Sequence, residues 1–187
     1  MTYTETQSSI STWASDTFGE PGTLLRVLTR ANEEMAELLR EITGDGNIDK
    51  VAREAADVLI VLFRVADRSG FRLVEYTPPK EYADDAPALD MARKFAVWAN
   101  LFLADAMGVK EGGFTDRLPI LLQKVYLSLH SACSVLGFDL LAEVDAKMAV
   151  NRARVWKKDG TGHGYHVRDK AASREDDSPE LPPSPQY

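Results

Sequence analysis

Residues 31–62 read ANEEMAELLREITGDGNIDKVAREAADVLIVL, and this stretch decides the fold. Apolar side chains on both sides of the GDGN segment at 44–47 recur every three or four residues, which is the period of a helix that buries one face. Glycines beside a periodic segment are helix stop signals. The stretch therefore predicts two helices, over residues 22–43 and 48–69, packed as an antiparallel hairpin. The second is apolar nearly all round at 58–63, so we expect it to be central and buried.

Three further segments with helical periodicity follow, over residues 89–107, 118–135 and 140–157. The prolines within residues 75–87 predict a loop before the first of them, because proline breaks helical hydrogen bonding. No strand alternation of useful length appears. The predicted fold class is therefore all-α.

The predicted domain covers residues 1–167. Residues 168–187 are charged, proline-rich and poor in large apolar side chains, so we expect a disordered tail without a catalytic role. The formal net charge of -7 opposes binding to a nucleic-acid backbone. The single cysteine, Cys133, forms no internal disulfide, and the longest apolar run, 58–63, is too short to span a membrane. These features predict a cytoplasmic protein, in the host cytoplasm if phage-encoded, with no nucleic-acid or membrane partner.

Four acidic residues form two pairs on the predicted hairpin: Glu34 with Glu37, and Glu54 with Asp57. Residues three apart share one face of a helix, so antiparallel packing gathers the four carboxylates beside the apolar stripe. Clustered carboxylates in a partly dry site repel one another, and a divalent cation relieves that repulsion. All-oxygen ligation favours Mg²⁺ or Mn²⁺ over zinc, which usually takes Cys or His ligands. The alternative is that these acids are ordinary solvated surface residues.

The acid pattern resembles the signature of the all-α nucleoside triphosphate pyrophosphatases, the superfamily of MazG, the dimeric dUTPases and phosphoribosyl-ATP pyrophosphohydrolase. Its surroundings are similar too. Trp13 and Phe18-Gly19 lie upstream, and KMAVNRARVW (147–156) followed by DGTGHGYH (159–166) resembles phage and bacterial MazG-like proteins. The resemblance implies a MazG-like helical bundle. Residues 75–136 would then hold an extra helical pair, inserted between the acidic hairpin and the last helix.

The resemblance also implies an activity. A (deoxy)nucleoside triphosphate would be hydrolysed between its α and β phosphates with Mg²⁺ or Mn²⁺, giving the monophosphate and pyrophosphate. All four acids would bind metal, and Glu34 or Glu37 would also orient the attacking water. Similarity to phage members favours a deoxypurine triphosphate such as dGTP, with a dUTPase- or dCTPase-type member as the alternative. A homo-oligomer, dimer or tetramer, is implied as well.

A basic segment at the end of the last predicted helix would bind the substrate phosphates. Lys147, Asn151, Arg154 and Lys158 recur at helical spacing, so we expect them to share one face. Asparagine is a poor helix former, which favours a ligand contact for Asn151. The alternative is a basic last turn that stabilises the helix C-terminus. The segment would serve the acids of its own chain or those of a neighbouring copy.

Several other side chains have two interpretations each. Trp13 and Trp156 either stack on the base or pack in the core. Gly160, Gly162 and His163 form either a lid over the phosphates or a flexible exit from the last helix. Cys133 lies in an apolar helix without an evident activating partner, so we expect it in the core.

Two functions from other classes remain open. A non-catalytic helical bundle would bind a protein partner through its apolar faces, with the acids and bases as ordinary surface. A di-iron or di-manganese oxidase would require Glu-x-x-His on two helices. None of the three histidines lies at that offset from an acid pair: His130, His163 and His166.

Overall fold

The computed structural model describes residues 3–76, 86–113, 115–158, 160, 162 and 164–166. Within these ranges the fold is all-α, with one short two-stranded ribbon. The helices are α1 (Gln7–Phe18), α2 (Leu24–Thr43), α3 (Ile48–Arg68), α4 (Ala88–Glu111), α5 (Leu118–Val135) and α6 (Leu140–Ala153). A 3₁₀ turn at Thr115–Arg117 precedes α5, and strands β1 (Trp156–Lys158) and β2 (Gly164–His166) follow α6.

Helices α2 and α3 form the predicted hairpin. The Thr23 side chain caps α2 by accepting from the Arg26 N–H, and the Asn47 side chain caps α3 by accepting from the Lys50 N–H. Helix α3 is buried along most of its length from Val51 to Ala66, and it contacts α1, α2, α5 and α6. The expectation of a central second helix is confirmed.

Helices α4 and α5 form a second hairpin that packs on α2 and α3. The predicted bounds of α5 are correct, whereas α4 continues past the predicted end at residue 107 to Glu111. Gly108 lies within that extension and has no neighbouring atom within 4 Å of the place where a side chain would begin. Glycine destabilises a helix only modestly, so tertiary packing carries α4 through it.

Helix α1 is an element that sequence periodicity did not predict. Its sequence, QSSISTWASDTF, has few large apolar residues, but Thr6 and Ser9 form a capping box at its start. Two side-chain contacts tie the preceding segment to α6: the Tyr3 hydroxyl donates to Asp139 at 2.6 Å, and Arg152 donates to Glu5 at 2.7 Å. The beginning of the chain is therefore fastened to its last helix.

The prediction for the end of the last helix is wrong. Helix α6 stops at Ala153, and Arg154 adopts an extended conformation with φ −76° and ψ 149°. The Trp156 indole N–H donates to the Asn151 carbonyl at 2.8 Å and satisfies a group that a continuing helix would have used. β1 then pairs antiparallel with β2, with Trp156 opposite His166. These strands are three residues long, too short to show as alternation in the sequence, and the all-α class is confirmed.

Some expectations fall outside the described residues. These include the tail at 168–187, most of the predicted loop at 75–87, and His163. Among the described helices, none by itself is long and apolar enough to cross a membrane. Only α5 and α6 taken together meet that length and composition test, and a bend of 99° separates them.

Candidate active site

Three of the four predicted metal ligands meet at the centre of the α2–α3 hairpin. Glu34 from α2 and Glu54 and Asp57 from α3 each offer a carboxylate oxygen, and these oxygens lie within 4.8 Å of one another. Glu34 is only 6% exposed. Glu37 lies outside this group of three but lines the cavity beside it, together with Glu34 and Asp57. The three clustered residues, which we call the acidic cluster, are therefore partly removed from water.

The acidic cluster holds protons more tightly than ordinary carboxylates do. Burial raises the pKa of Glu34 to about 7; the Arg30 charge opposes this shift, and the neighbouring carboxylates add to it. Burial is also the main cause that raises the pKa of Glu54 and of Asp57. Desolvation and mutual repulsion both favour the neutral form of an acid.

Two basic side chains partly neutralise the cluster. Arg30 forms an ion pair with Glu34, one helical turn away, and Lys147 from α6 forms an ion pair with Asp57. The Lys147 contact shows that α6 reaches the acids of its own chain. Glu54 has no such partner within the described residues, and its Oε2 is enclosed without a hydrogen bond.

The residues present fit a divalent cation. Carboxylate oxygens are the ligands that Mg²⁺ and Mn²⁺ prefer, and an enclosed carboxylate oxygen without a donor is costly unless a cation or proton satisfies it. Glu54 Oε2 is such an atom. Glu34, Glu54 and Asp57 are the residues that would hold the ion.

A cavity of about 700 Å³ opens beside the acidic cluster. Lys147, Asn151 and Arg154 line it, as predicted. Asn151 is only 5% exposed, and its Oδ1 accepts a hydrogen bond from Arg154 Nη1 at 3.3 Å. Arg154 reaches the cavity from the extended segment after α6, not from the helical face on which the sequence placed it.

Lys158 does not belong to this group. The helical face predicted for it ends with α6 at Ala153, and Lys158 lies exposed on β1. It is absent from the cavity lining. Its predicted position beside Lys147 is therefore wrong, because the chain turns into the ribbon before reaching it.

Three aromatic rings form part of the cavity wall. Trp13, Phe18 and Trp156 pack edge to face, with ring centroids 5.4 Å apart for Trp13–Phe18, 5.1 Å for Phe18–Trp156 and 6.1 Å for Trp13–Trp156. All three also line the cavity. The two interpretations of the tryptophans are thus compatible, because these rings pack against one another and still present surface to a ligand.

Sequence reasoning missed three cationic residues of the cavity, Arg26, Arg30 and Arg64. All three lie on the acid-bearing helices: Arg26 and Arg30 come two turns and one turn before Glu34, and Arg64 comes two turns after Asp57. That spacing was the available signal. Arg64 is 7% exposed, donates to the Gly162 carbonyl at 3.2 Å and lies 5.9 Å from the centre of the Phe18 ring. Burial lowers the pKa of its guanidinium.

The remaining predicted residues lie outside the chemistry of this cavity. Cys133 is buried, and burial raises the pKa of its thiol, which confirms a core role. Gly162 is buried against Pro21, so this part of the segment after α6 is packed rather than open. A second cavity of about 830 Å³ is larger, but it contains none of the predicted metal or substrate residues. The smaller cavity is therefore the candidate active site.

A scan against protein-family models, a search of curated proteins and a search of solved structures each found no match. The function is therefore inferred from the residues of the cavity and their geometry.

Proposed function

We propose that this chain is a MazG-like nucleoside triphosphate pyrophosphohydrolase that requires Mg²⁺ or Mn²⁺. One observation carries the proposal: a single cavity of about 700 Å³ joins a partly buried cluster of carboxylates, several cationic side chains and a group of aromatic rings. These three kinds of group match the three parts of a metal–nucleotide complex. The carboxylates suit the cation, the cationic side chains suit the phosphates, and the rings suit the base.

Glu34, Glu54 and Asp57 would hold the cation, and Glu37 stands beside them in the cavity wall. A bound divalent cation supplies charge neutralisation at the phosphate oxygens and lowers the pKa of the attacking water. Lys147 and Arg30 lie next to the carboxylates and would contact the phosphates there. Arg154 would add donors from the mouth of the cavity.

The reaction consumes one water. Its oxygen bonds to the α phosphorus while the bond from that phosphorus to the α–β bridging oxygen breaks, which releases pyrophosphate and a nucleoside monophosphate. The water gives up one proton, and Glu34 or Glu37 would accept it.

The other functional classes explain less of the geometry. A purely structural bundle has no need for three clustered acids beside a cavity, one of them with an enclosed oxygen that lacks a donor. A di-iron oxidase requires histidine ligands. Among the described residues, the clustered metal-ligating side chains are carboxylates alone.

The direct test is pyrophosphate release from each of the eight common nucleoside triphosphates with Mg²⁺. Glu54→Gln keeps the shape of the side chain but removes a ligand charge, so we expect kcat/KM to fall about a hundredfold or more while the fold persists. Asp67→Asn, an exposed acid farther along α3, is the control and should stay within about twofold.

Two results would contradict the proposal. One is a wild-type protein that releases no pyrophosphate from any of the eight substrates with Mg²⁺ or Mn²⁺. The other is a Glu54→Gln variant that is as active as Asp67→Asn.

A further inference from the structure

Arg64 is a buried cation without a carboxylate partner among the described residues. It is 7% exposed and lines the candidate active site. Its guanidinium makes one hydrogen bond there, to the Gly162 carbonyl, and faces the Phe18 ring. The nearby acid Glu20 is engaged in an ion pair with Arg68.

This arrangement leaves donors available to a ligand. A guanidinium carries five N–H donors, and burying them unsatisfied is costly. Arg64 lines the cavity, and its one hydrogen bond to the Gly162 carbonyl leaves other N–H donors of the guanidinium unused. The cavity wall at this point is therefore rich in donors, and it calls for a ligand group rich in acceptors.

The position of Arg64 favours contact with the base of a bound nucleotide over contact with its phosphates. Glu54, Asp57 and Arg64 lie three and seven residues apart on α3 and share one face. With a rise of 1.5 Å per residue, Arg64 stands about 10 Å along the helix from Asp57. Phe18, which contacts Arg64, also packs on Trp13 and Trp156. Phosphates held at the acidic cluster thus leave the base beside Arg64 and the rings.

We propose that Arg64 selects the base, by donating two hydrogen bonds to O6 and N7 of a 6-oxopurine, guanine or hypoxanthine. The inference rests on the proposed function and names its substrate class. Guanine presents two acceptors on one edge, and an arginine fork fits them in bidentate fashion. Adenine places an N–H₂ donor next to its N7, which opposes a donor-only side chain.

The first test compares kcat/KM for dGTP, dITP, dATP and dCTP. dITP has the same O6 and N7 edge as dGTP but lacks the 2-amino group, so the two should be used about equally well. We expect both to exceed dATP by about ten- to hundredfold, the range that a bidentate arginine contact provides. In Arg64→Gln the ratio of dGTP to dCTP should collapse, and Arg64→Lys should restore it only partly.

The second test is a thermodynamic cycle between the side chain and a single acceptor atom. 7-Deaza-dGTP lacks N7, so it should be a poorer substrate than dGTP for the wild type. It should be equivalent to dGTP for Arg64→Gln, because the partner of that atom is gone. Arg68→Gln, one turn farther along α3 and outside the cavity lining, is the control and should keep the wild-type discrimination against 7-deaza-dGTP.

Three outcomes would overturn the inference: a wild type without preference for 6-oxopurines, an equal loss on all four substrates in Arg64→Gln, or a deaza effect that persists in that variant. Thermal melting identifies variants that fail to fold, and Arg64→Met, whose side chain has no N–H donor, then replaces Arg64→Gln in the cycle. If the wild type hydrolyses nothing, the proposed function fails alone. Calorimetric binding of dGMP against dCMP, with and without the Arg64 change, then decides the inference.

Discussion

Glu34 is the most enclosed carboxylate of the acidic cluster, and its protonation state affects the stability of the fold. Burial, together with the repulsion of Asp57, Glu37 and Glu54, raises its pKa from 4.5 to about 7 although Arg30 pairs with it. A pKa that is higher in the folded state means that folding favours the protonated form. This contribution to stability is fully present below pH 4.5 and is lost as the pH rises through about 7.

We therefore expect the metal-free protein to lose the Glu34 contribution as the pH rises from 4.5 through about 7, the window set by the two pKa values of Glu34. Neutral His130 contributes with the opposite pH dependence, because burial lowers its pKa from 6.5 to about 4. Mg²⁺ competes with the Glu34 proton, so its affinity should increase across the Glu34 window. Glu34→Gln should remove the Glu34 contribution from the dependence of the melting midpoint on pH. Thermal melts at several pH values, with a Glu33→Gln control on the exposed neighbouring acid, measure this effect.

A dependence of the melting midpoint on pH that Glu34→Gln leaves unchanged would show that the burial of Glu34 has no such consequence.

Some residues of the candidate active site could be predicted from the sequence, and others could not. The acids could be predicted because a three-residue spacing on neighbouring helices determines a shared face. Arg30 and Arg64 could not, because an arginine on a helix is usually a solvated surface residue, and only the packing of Phe18 and Gly162 encloses Arg64. Arg154 lines the cavity from the extended segment after α6, a position that helical periodicity did not predict.

Among the elements, the β1–β2 ribbon contributes Trp156 and Gly164 to the cavity wall. Gly162 has φ +86°, and a side chain there would overlap the backbone of Pro21. The carbonyl of Gly162 also accepts the Arg64 hydrogen bond. This one glycine thus docks the ribbon on the corner between α1 and α2 and orients a cationic residue of the cavity.

We expect Gly162→Ala to displace the ribbon, because both the backbone angle and the contact with Pro21 become unfavourable. kcat/KM should fall by about tenfold or more, while the helical content seen by circular dichroism is unchanged. Gly108→Ala in α4 is the matched control. It meets no atom within 4 Å and should stabilise the protein by about 0.5–1 kcal/mol without affecting turnover.

Equal activity in the two alanine variants would mean that the ribbon does not shape the cavity.

The helices themselves were largely predictable, and the exceptions have physical causes. Strong apolar periodicity gave α2, α3 and α5 nearly to the residue. Helix α1 depends on its capping box and on tertiary contacts of Trp13 and Phe18, which leave only a weak periodic signal. The ribbon replaced the predicted end of α6 because the Trp156 indole takes the Asn151 carbonyl, an interaction across the break that no periodicity encodes.

For the whole molecule, metal binding and folding should be coupled. The acidic cluster joins α2 to α3, so a cation bound there stabilises the folded state relative to the unfolded chain. At a Mg²⁺ concentration about a hundredfold above its Kd, the gain is about 2.7 kcal/mol. The melting midpoint should rise with MgCl₂, but not with NaCl of equal ionic strength, and the rise should be much smaller in Glu54→Gln.

A midpoint that responds equally to both salts would indicate screening of the net charge instead of a specific site.

The order of the cavity residues along the chain determines when the cavity becomes complete during protein synthesis. Trp13 and Phe18 come from the first helix, the acids from the second and third, and Lys147, Trp156 and Gly164 from the last described segments. The last residues of the cavity wall therefore leave the ribosome only after nearly every other described element has been synthesised. A nascent or truncated chain contains the acidic hairpin but lacks the surface opposite it. Under the proposed function, such a chain would lack the complete cavity and would not hydrolyse nucleotides before its synthesis is finished.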